Sequence, residues 1–389
     1  MLLKDKKVAI IGGGPGGLML ARLLQQQGVD VKVYERDADQ FVRQQGSTLD
    51  LHRDTGLKAM EAAGLMNEFK KHYRPGADKS VIVNGNMDIL YNEHEEKSEK
   101  DFGDEYFRPE IDRGPLRDLL ISSIKKENIV WNSKFIALKA SGSGWEIQFE
   151  NRLSEYADVV VAADGANSKL RKYITDISPV YSGVTSIDGS IHHAALHVPE
   201  IWKLTNGASL FALQKGKTIL CKAKGDGTLS FLVGLKTPEN WLKNSGIDPT
   251  NRISIAEWFA NEFRDWNDGW QELFATDDAV FVPRVWYHFP LDQHWNSLPN
   301  LTMIGDAAHR IPPFAGEGAN QALADALDLY ESLCCEELET ILQAITSFEQ
   351  KMLKRSAVIT EDTLQNTEGL HSENNLQFLT GFFGNADPQ

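Results

Sequence analysis

Gly12, Gly14 and Gly17 stand at the spacing G-x-G-x-x-G within Gly12-Gly13-Gly14-Pro15-Gly16-Gly17, and Glu35 follows about 20 residues on. Glycines so placed let the backbone turn tightly and approach a pyrophosphate, the N–H groups of a helix start bind it, and an acid at that distance accepts from ribose hydroxyls. The residues alone fit NAD(P) or FAD equally. An Asp-Gly pair, Asp164-Gly165, and a Gly-Asp pair, Gly305-Asp306, each end an apolar run. Gly316-Glu317-Gly318-Ala319-Asn320 opens an alanine-rich stretch, and helix starts bearing glycine are anion sites. Arg113 and Arg117 lie one helical turn apart, which is cheap only if each cation has an acceptor.

These groups need particular elements to carry them. Val8, Ala9, Ile10 and Ile11 form a short branched apolar run, as in a parallel strand covered on both faces. Leu18, Ala21 and Leu24 recur at helical spacing as far as Gln27, Gly28 suits a left-handed C-cap, and Val31 to Tyr34 is the return strand. Residues 156–163 read as one buried strand ending at Asp164-Gly165, with Asn167, Ser168 and Arg171 opening a helix. Leu301, Thr302, Met303 and Ile304 read as another strand, ending at Gly305-Asp306, and a helix runs on to Leu333. Ligands of open α/β sheets bind at the carboxyl edge. Nucleotide-type edges near residues 14 and 306 imply one long ligand bridging both.

The intervening segments differ in texture. Residues 54–65 suggest an N-capped helix stopping at Gly64, residues 81–91 a hairpin about Asn84-Gly85, and residues 111–124 an amphipathic helix. The charge run 94–101 reads as a solvated loop, and Arg43, by spacing alone, as a surface charge. From about Pro179 strands at 208–213, 218–224 and 228–235 alternate with turns, so an antiparallel sheet is inserted. Trp202, Phe211, Phe231, Trp286 and Phe289 line a pocket there or fill a core. His192, His193 and His197 suit ordinary polar roles better than metal binding. Residues 336–365 are helical, and Phe378, Leu379, Phe382 and Phe383 must dock on the body or over a site.

The chain has 389 residues and a net charge of −15, which disfavours nucleic acid and anionic membranes as partners. Its three cysteines, Cys221, Cys334 and Cys335, lack the C-x-x-C spacing of a dithiol or zinc site. No metal site is expected. There is neither a signal-like apolar region nor a run long enough to span a bilayer, so a cytoplasmic location is expected.

Taken together, the Gly12 to Gly17 turn with Glu35, the Asp164-Gly165 edge, and Gly305-Asp306 with Pro312-Pro313 and Gly316 to Asn320 resemble the single-component, class A flavin-dependent aromatic hydroxylases over nearly the whole chain. Within that group Val33-Tyr34-Glu35-Arg36-Asp37, Thr48-Leu49-Asp50-Leu51-His52, Met303-Ile304-Gly305-Asp306-Ala307-Ala308-His309 and Pro312-Pro313-Phe314-Ala315-Gly316 are similar to the tetracycline destructases, the tetracycline-inactivating monooxygenases.

The resemblance implies an α/β fold with a Rossmann-like FAD-binding domain (1–72, 108–175 and 289–335), an inserted antiparallel β-sheet substrate domain (73–107 and 176–288) and a C-terminal helical segment closing the site (336–389). It implies FAD bound by Gly12, Gly14, Pro15, Gly17, Glu35, Arg36, Asp50, Arg113, Arg117, Asp164, Asp306, Pro313, Gly316, Gly318, Ala319 and Asn320, with Arg43 assisting NADPH. The substrate contacts implied are Asp188, Ser209, Phe211, Ser230 and Phe314. Three of these, Asp188, Ser209 and Ser230, stand where the best-known tetracycline oxidase has Gln, Arg and His, so the drug's polar anchors are not carried over. The implied chemistry is NADPH- and O2-dependent hydroxylation of a tetracycline through a flavin C4a-hydroperoxide, by a monomer with no catalytic side chain. Another phenolic or polyketide substrate, or a flavin-dependent reductase of the same fold, is the alternative.

Overall fold

The computed structural model describes residues 2–42, 46–96, 100–277 and 279–384. Arg43 lies outside the described residues, as do the side chains of Phe382 and Phe383.

A five-stranded parallel sheet runs in the order Leu301–Met303, Val159–Ala162, Lys7–Ile11, Asp30–Tyr34, Ile129–Val130. Val8, Ile10, Val31, Val33, Val160 and Val161 are all buried, because the helices Pro15–Gln26 and Gly318–Cys334 and a three-stranded antiparallel sheet share one apolar core with it. Two expectations are corrected here. The run 156–163 is not one strand: Glu155–Ala157 pairs antiparallel with Gly144–Phe149, while Val159–Ala162 pairs parallel with Lys7–Ile11. The chain changes sheets at Asp158, whose carboxylate accepts from Lys7 N at 2.9 Å. Nor does an α-helix follow Gly165; only a short turn of helix, Arg171–Tyr173, is present.

The second sheet has seven strands, in the order Ala279–His288, Val180–Ile191, Leu229–Lys236, Lys217–Ala223, Ser209–Gln214, Ser80–Asn84, Ile89–Asn92. The last two form the hairpin expected near Asn84, with a longer connection than Asn-Gly alone. Alternation along the strands separates two faces. One buries Val81, Val83, Ile187, Leu210, Ile219 and Phe231 against an aromatic layer from Phe259, Trp266, Trp270 and Phe274. Phe231 and Trp202 therefore belong to this core. The other face carries Ile82, Phe211, Leu220, Leu232 and Trp286 and packs against Phe314, Leu370 and Leu379.

Thr340 caps the helix Ile341–Leu370 in a reciprocal capping box with Gln343. Its far end is tied to the sheet, where Thr218 Oγ1 donates to Leu370 O at 2.6 Å and Asn375 Nδ2 to Lys217 O at 3.0 Å. The last helix, Asn375–Gly384, then lays Leu376 and Leu379 on the Phe211 and Phe314 side. Among the described residues no helix is long and apolar enough to cross a membrane, and no group of His, Cys, Asp and Glu could hold a metal.

Candidate active site

The glycine turn closes on its own backbone. Gly12 has φ +115°, and a Cβ there would lie 2.2 Å from Ala163 O; a Cβ at Gly17 would lie 2.2 Å from Gly12 O. Neither contact admits a side chain. At Gly14 the opposite holds, since nothing lies within 4 Å of an added Cβ. Gly14 is also the N-cap of Pro15–Gln26 and offers no side-chain cap, so the helix start faces open space. Glu35 is buried at the end of the second strand, where Oε2 accepts from Gly13 N at 2.6 Å and Oε1 from Asp37 N at 3.0 Å. Arg36 is exposed beside it. Arg117 turns to the loop: its Nη1 donates to Gln40 O at 2.8 Å, and its guanidinium stands 5.5 Å from the Trp131 ring centroid.

Next along the carboxyl edge is Asp164. Its Oδ2 accepts from Lys169 N at 2.9 Å, but Oδ1 is buried with no hydrogen-bond partner, and burial raises its pKa. Gly305 N donates to Asp325 Oδ2 at 2.7 Å, and the same oxygen lies 2.5 Å from His309 Nε2. Arg355, from the long C-terminal helix, holds the other side of Asp325 and reaches Asp328 as well. This buried network fixes the turn that presents Asp306. Burial raises the Asp306 pKa against the pull of His309, Arg113 and Arg310. Behind the turn Arg171 Nη1 donates to Ala307 O and Ala308 O, both at 3.0 Å, and its guanidinium lies 3.5 Å from the Phe289 ring centroid. Burial pulls its pKa down to about 10. Asp325 and Arg355 were missed in the sequence, although an acid inside the apolar run Leu323 to Leu327 was the available signal.

The third group is the 316–318 turn. Pro313 and Gly316 are exposed and Gly318 and Ala319 half-buried. An added Cβ on Gly316 would sit 2.9 Å from Asp50 Oδ1, and one on Gly318 3.9 Å from Asp306 Oδ1, so the turn lies between two carboxylates. Asn320 is buried and clasps the neighbouring strand: Nδ2 donates to Asp50 O at 2.8 Å and Oδ1 accepts from His52 N at 2.9 Å. The His52 ring bridges Asp50 Oδ2, 2.8 Å from Nε2, and Glu317 Oε1, 3.1 Å from Nδ1. Those two carboxylates outweigh desolvation and lift its pKa to about 9. His52 and Glu317 are the second pair that sequence reasoning missed, since neither has a local spacing that marks it.

Asp188, Ser209, Phe211 and Ser230 all fall on the sheet face that Phe314 meets. Strand register sets them in rows. Ser190, Ser230, Lys222, Ser209 and Ser80 stand opposite one another across five strands. Two residues along lie Asp188, Leu232, Leu220, Phe211 and Ile82. Ser230 Oγ is 2.7 Å from Ser47 Oγ, and Lys222 Nζ is 2.6 Å from Glu110 Oε1. Asp188 takes Arg284 Nε and Ser186 Oγ, each at 2.6 Å, and burial still raises its pKa. Trp286 and His371 stand edge-on to Phe314, with centroids 6.4 and 4.8 Å away.

A long dinucleotide fits these residues: the open helix start at Gly14 suits a pyrophosphate, the unsatisfied Asp164 Oδ1 wants a donor, and the 316–318 turn, exposed at Gly316, offers a second helix start. Comparison with known proteins agrees. The family model described as "FAD binding domain" matches residues 5–281 and 293–359. Monooxygenase penA of Penicillium thymicola is 30% identical over 374 residues, covering 84% of this chain and 84% of its own. Among solved structures, tetracycline destructase Tet(55) superposes with a TM-score of 0.76 at 17% identity, covering 99% of this chain and 96% of the other. Klebsiella pneumoniae HpxO complexed with FAD and uric acid superposes with a TM-score of 0.74 at 18% identity, covering 97% and 92%. The chain belongs to the FAD binding domain family and is an FAD-dependent monooxygenase of the class A flavoprotein hydroxylase group.

Proposed function

We propose that the protein uses NADPH and O2 to hydroxylate an electron-rich carbon of a flat, oxygen-rich phenol or polyketide, with tetracyclines as its substrates. The observation that carries this reading is the sheet face in front of Phe314, where a row of four serines and Lys222 adjoins the apolar side chains of Leu232, Leu220, Phe211 and Ile82, with Asp188 at their end. Rings pack on Phe211, Leu220, Leu232 and Phe314, while oxygens along one edge exchange hydrogen bonds with Ser209 and Ser230. Asp188, already paired with Arg284, supplies the polar end. The structural likeness to tetracycline destructase Tet(55) supports the tetracycline assignment.

Bound FAD supplies the electron transfer and the oxygen chemistry. The chain's residues bind, orient and shield. Glu35 accepts from the adenosine ribose, and Gly12, Gly14, Pro15 and Gly17 receive the pyrophosphate with Arg36 nearby. Asp164, Arg113 and Asp306 hold the central hydroxyls and phosphates. Asp50, Pro313, Gly316, Gly318 and Ala319 line the flavin ring, where the helix dipole favours negative charge. Arg117 and Asn320 act from behind, through the 37–40 loop and the Asp50–His52 segment. Arg43 assists NADPH. The domains divide as 1–72, 108–175 and 289–335 for FAD and 73–107 with 176–288 for substrate, and 336–389 excludes water from a monomeric enzyme.

The test is mass spectrometry of a tetracycline incubated with the enzyme, NADPH and O2. A product heavier by one oxygen atom, or fragments derived from it, is expected. Unchanged drug despite NADPH-dependent O2 consumption with another phenol would remove tetracycline and leave the monooxygenase.

A further inference from the structure

His52 stands between carboxylates from two separate parts of the fold. A neutral imidazole has one N–H and one lone pair, whereas the cation has two N–H groups. With Asp50 Oδ2 2.8 Å from one ring nitrogen and Glu317 Oε1 3.1 Å from the other, only the cation donates to both. Asp50 ends the strand Thr48–Asp50, and Glu317 immediately precedes the helix Gly318–Cys334. The ring therefore ties that strand to that helix start, and the second oxygen of Asp50 rests against Gly316. Asn320 makes the same connection through backbone groups.

The charges around the ring are these. Glu317 Oε2 accepts from Gln321 Nε2 at 3.0 Å. Lys222, from the substrate sheet, acts on Asp50 and pairs with Glu110 of the strand Glu110–Asp112. With a charged ring the cluster sets three carboxylates against two cations. With a neutral ring Lys222 still opposes Asp50 and Glu110, but among the described residues no cation stands between Asp50 and Glu317.

We infer that His52 is a positioning residue for the flavin turn: as a cation between Asp50 and Glu317 it locks residues 316–318 in place and cancels one negative charge there, so that FAD, and above all its anionic reduced form, is held while the ring is protonated. This rests on the reading of that turn as the flavin ring's site. The ring's pKa is raised in the folded protein to about 9, so the clamp is complete at neutral pH and is lost as pH rises through that value.

The test compares the holoprotein with His52→Gln and Glu317→Gln, reading FAD dissociation, the flavin midpoint potential and the ¹⁵N shifts of the His52 ring. For the wild type the FAD dissociation constant should rise about tenfold across an alkaline limb near pH 9, the change expected for roughly one pH-linked charge interaction. His52→Gln should be about tenfold weaker already at neutral pH, without that limb. A further tenfold loss confined to the reduced form would lower its midpoint potential by about 30 mV, the two-electron conversion of that ratio. Glu317→Gln should move the alkaline limb of FAD binding downward, because one carboxylate no longer holds the proton on the ring. Unchanged FAD affinity and potential in His52→Gln, or a neutral His52 ring at pH 7 in the wild type, would overturn the inference alone. A wild-type chain that holds no FAD at any pH would overturn the flavin reading with it. If His52→Gln does not fold, the direction in which Glu317→Gln moves the limb decides.

Discussion

Arg355 Nη2 lies 2.5 Å from Asp325 Oδ1, while the other oxygen of Asp325 takes the N–H of Gly305 at 2.7 Å. One carboxylate thus joins the long C-terminal helix to the turn that presents Asp306. Removing one partner of a buried pair costs about 3–5 kcal/mol, because the other charge is left uncompensated. Arg355→Met is expected to lose stability on that scale in urea denaturation and to release FAD, although it is remote in sequence from the glycine turn. Its neighbours hold Asp325 below the usual carboxylate range. Its contribution is therefore present above the unfolded value of about 4 and lost as pH falls through the lower folded one. The mutant should be flatter than the wild type across that acid window.

Gly12, Gly14 and Gly17 should fail differently. Gly12→Ala and Gly17→Ala place a methyl 2.2 Å from backbone oxygens, so the apoprotein itself should melt early. Gly14→Ala meets no protein atom. It should melt like the wild type and bind FAD at least about tenfold more weakly, because the methyl meets only the ligand. Equal FAD affinity in Gly14→Ala would remove the pyrophosphate from this turn.

Asp164 carries a cost without its ligand. Its Oδ1 is buried and unpartnered and its pKa is raised, so its ionised form opposes folding of the apoprotein above the unfolded pKa. Asp164→Asn keeps an oxygen for Lys169 N and removes the charge. The apoprotein should melt no lower than wild type at neutral pH while FAD binds more weakly; a lower melting temperature would mean that the carboxylate is structural.

Asp306→Ala removes the acid between the Gly305 turn and the 316–318 turn, and the purified protein should lose its flavin absorbance. Full flavin occupancy would contradict the role given to Asp306.

Two phenylalanines on strands of the same sheet, separated by the strand Lys217–Ala223, should distinguish stability from substrate binding. Phe231 belongs to the buried aromatic core, with ring centroids 5.9 Å from Phe274 and 6.2 Å from Phe281, so Phe231→Ala should cost about 3–5 kcal/mol. Phe211 is half-buried on the opposite face. Phe211→Ala should lose less stability and raise KM for the substrate, with the flavin spectrum unchanged. The reverse pattern would place the substrate on the wrong face of the sheet.

Local pattern determined much of this protein. The spacing of Gly12, Gly14 and Gly17 with Glu35, the branched runs at residues 8–11 and 301–304, and the two-residue alternation at 208–235 each specify an element within a few residues, because backbone sterics and one-sided burial act at that range. Local pattern could not divide Tyr156 from Val159 between two sheets, since both lie in one apolar run and only the pairing partner differs. Nor could it show which face of the inserted sheet Phe231 and Phe211 choose, because alternation gives two faces without saying what covers each. The clasp of Asn320 on His52 joins residues 268 apart, and the hold of Arg355 on Asp325 joins two helices. Such contacts leave no periodic mark. They form because buried polar groups must find partners wherever the fold has brought donors and acceptors together, and only the tertiary structure decides where that is.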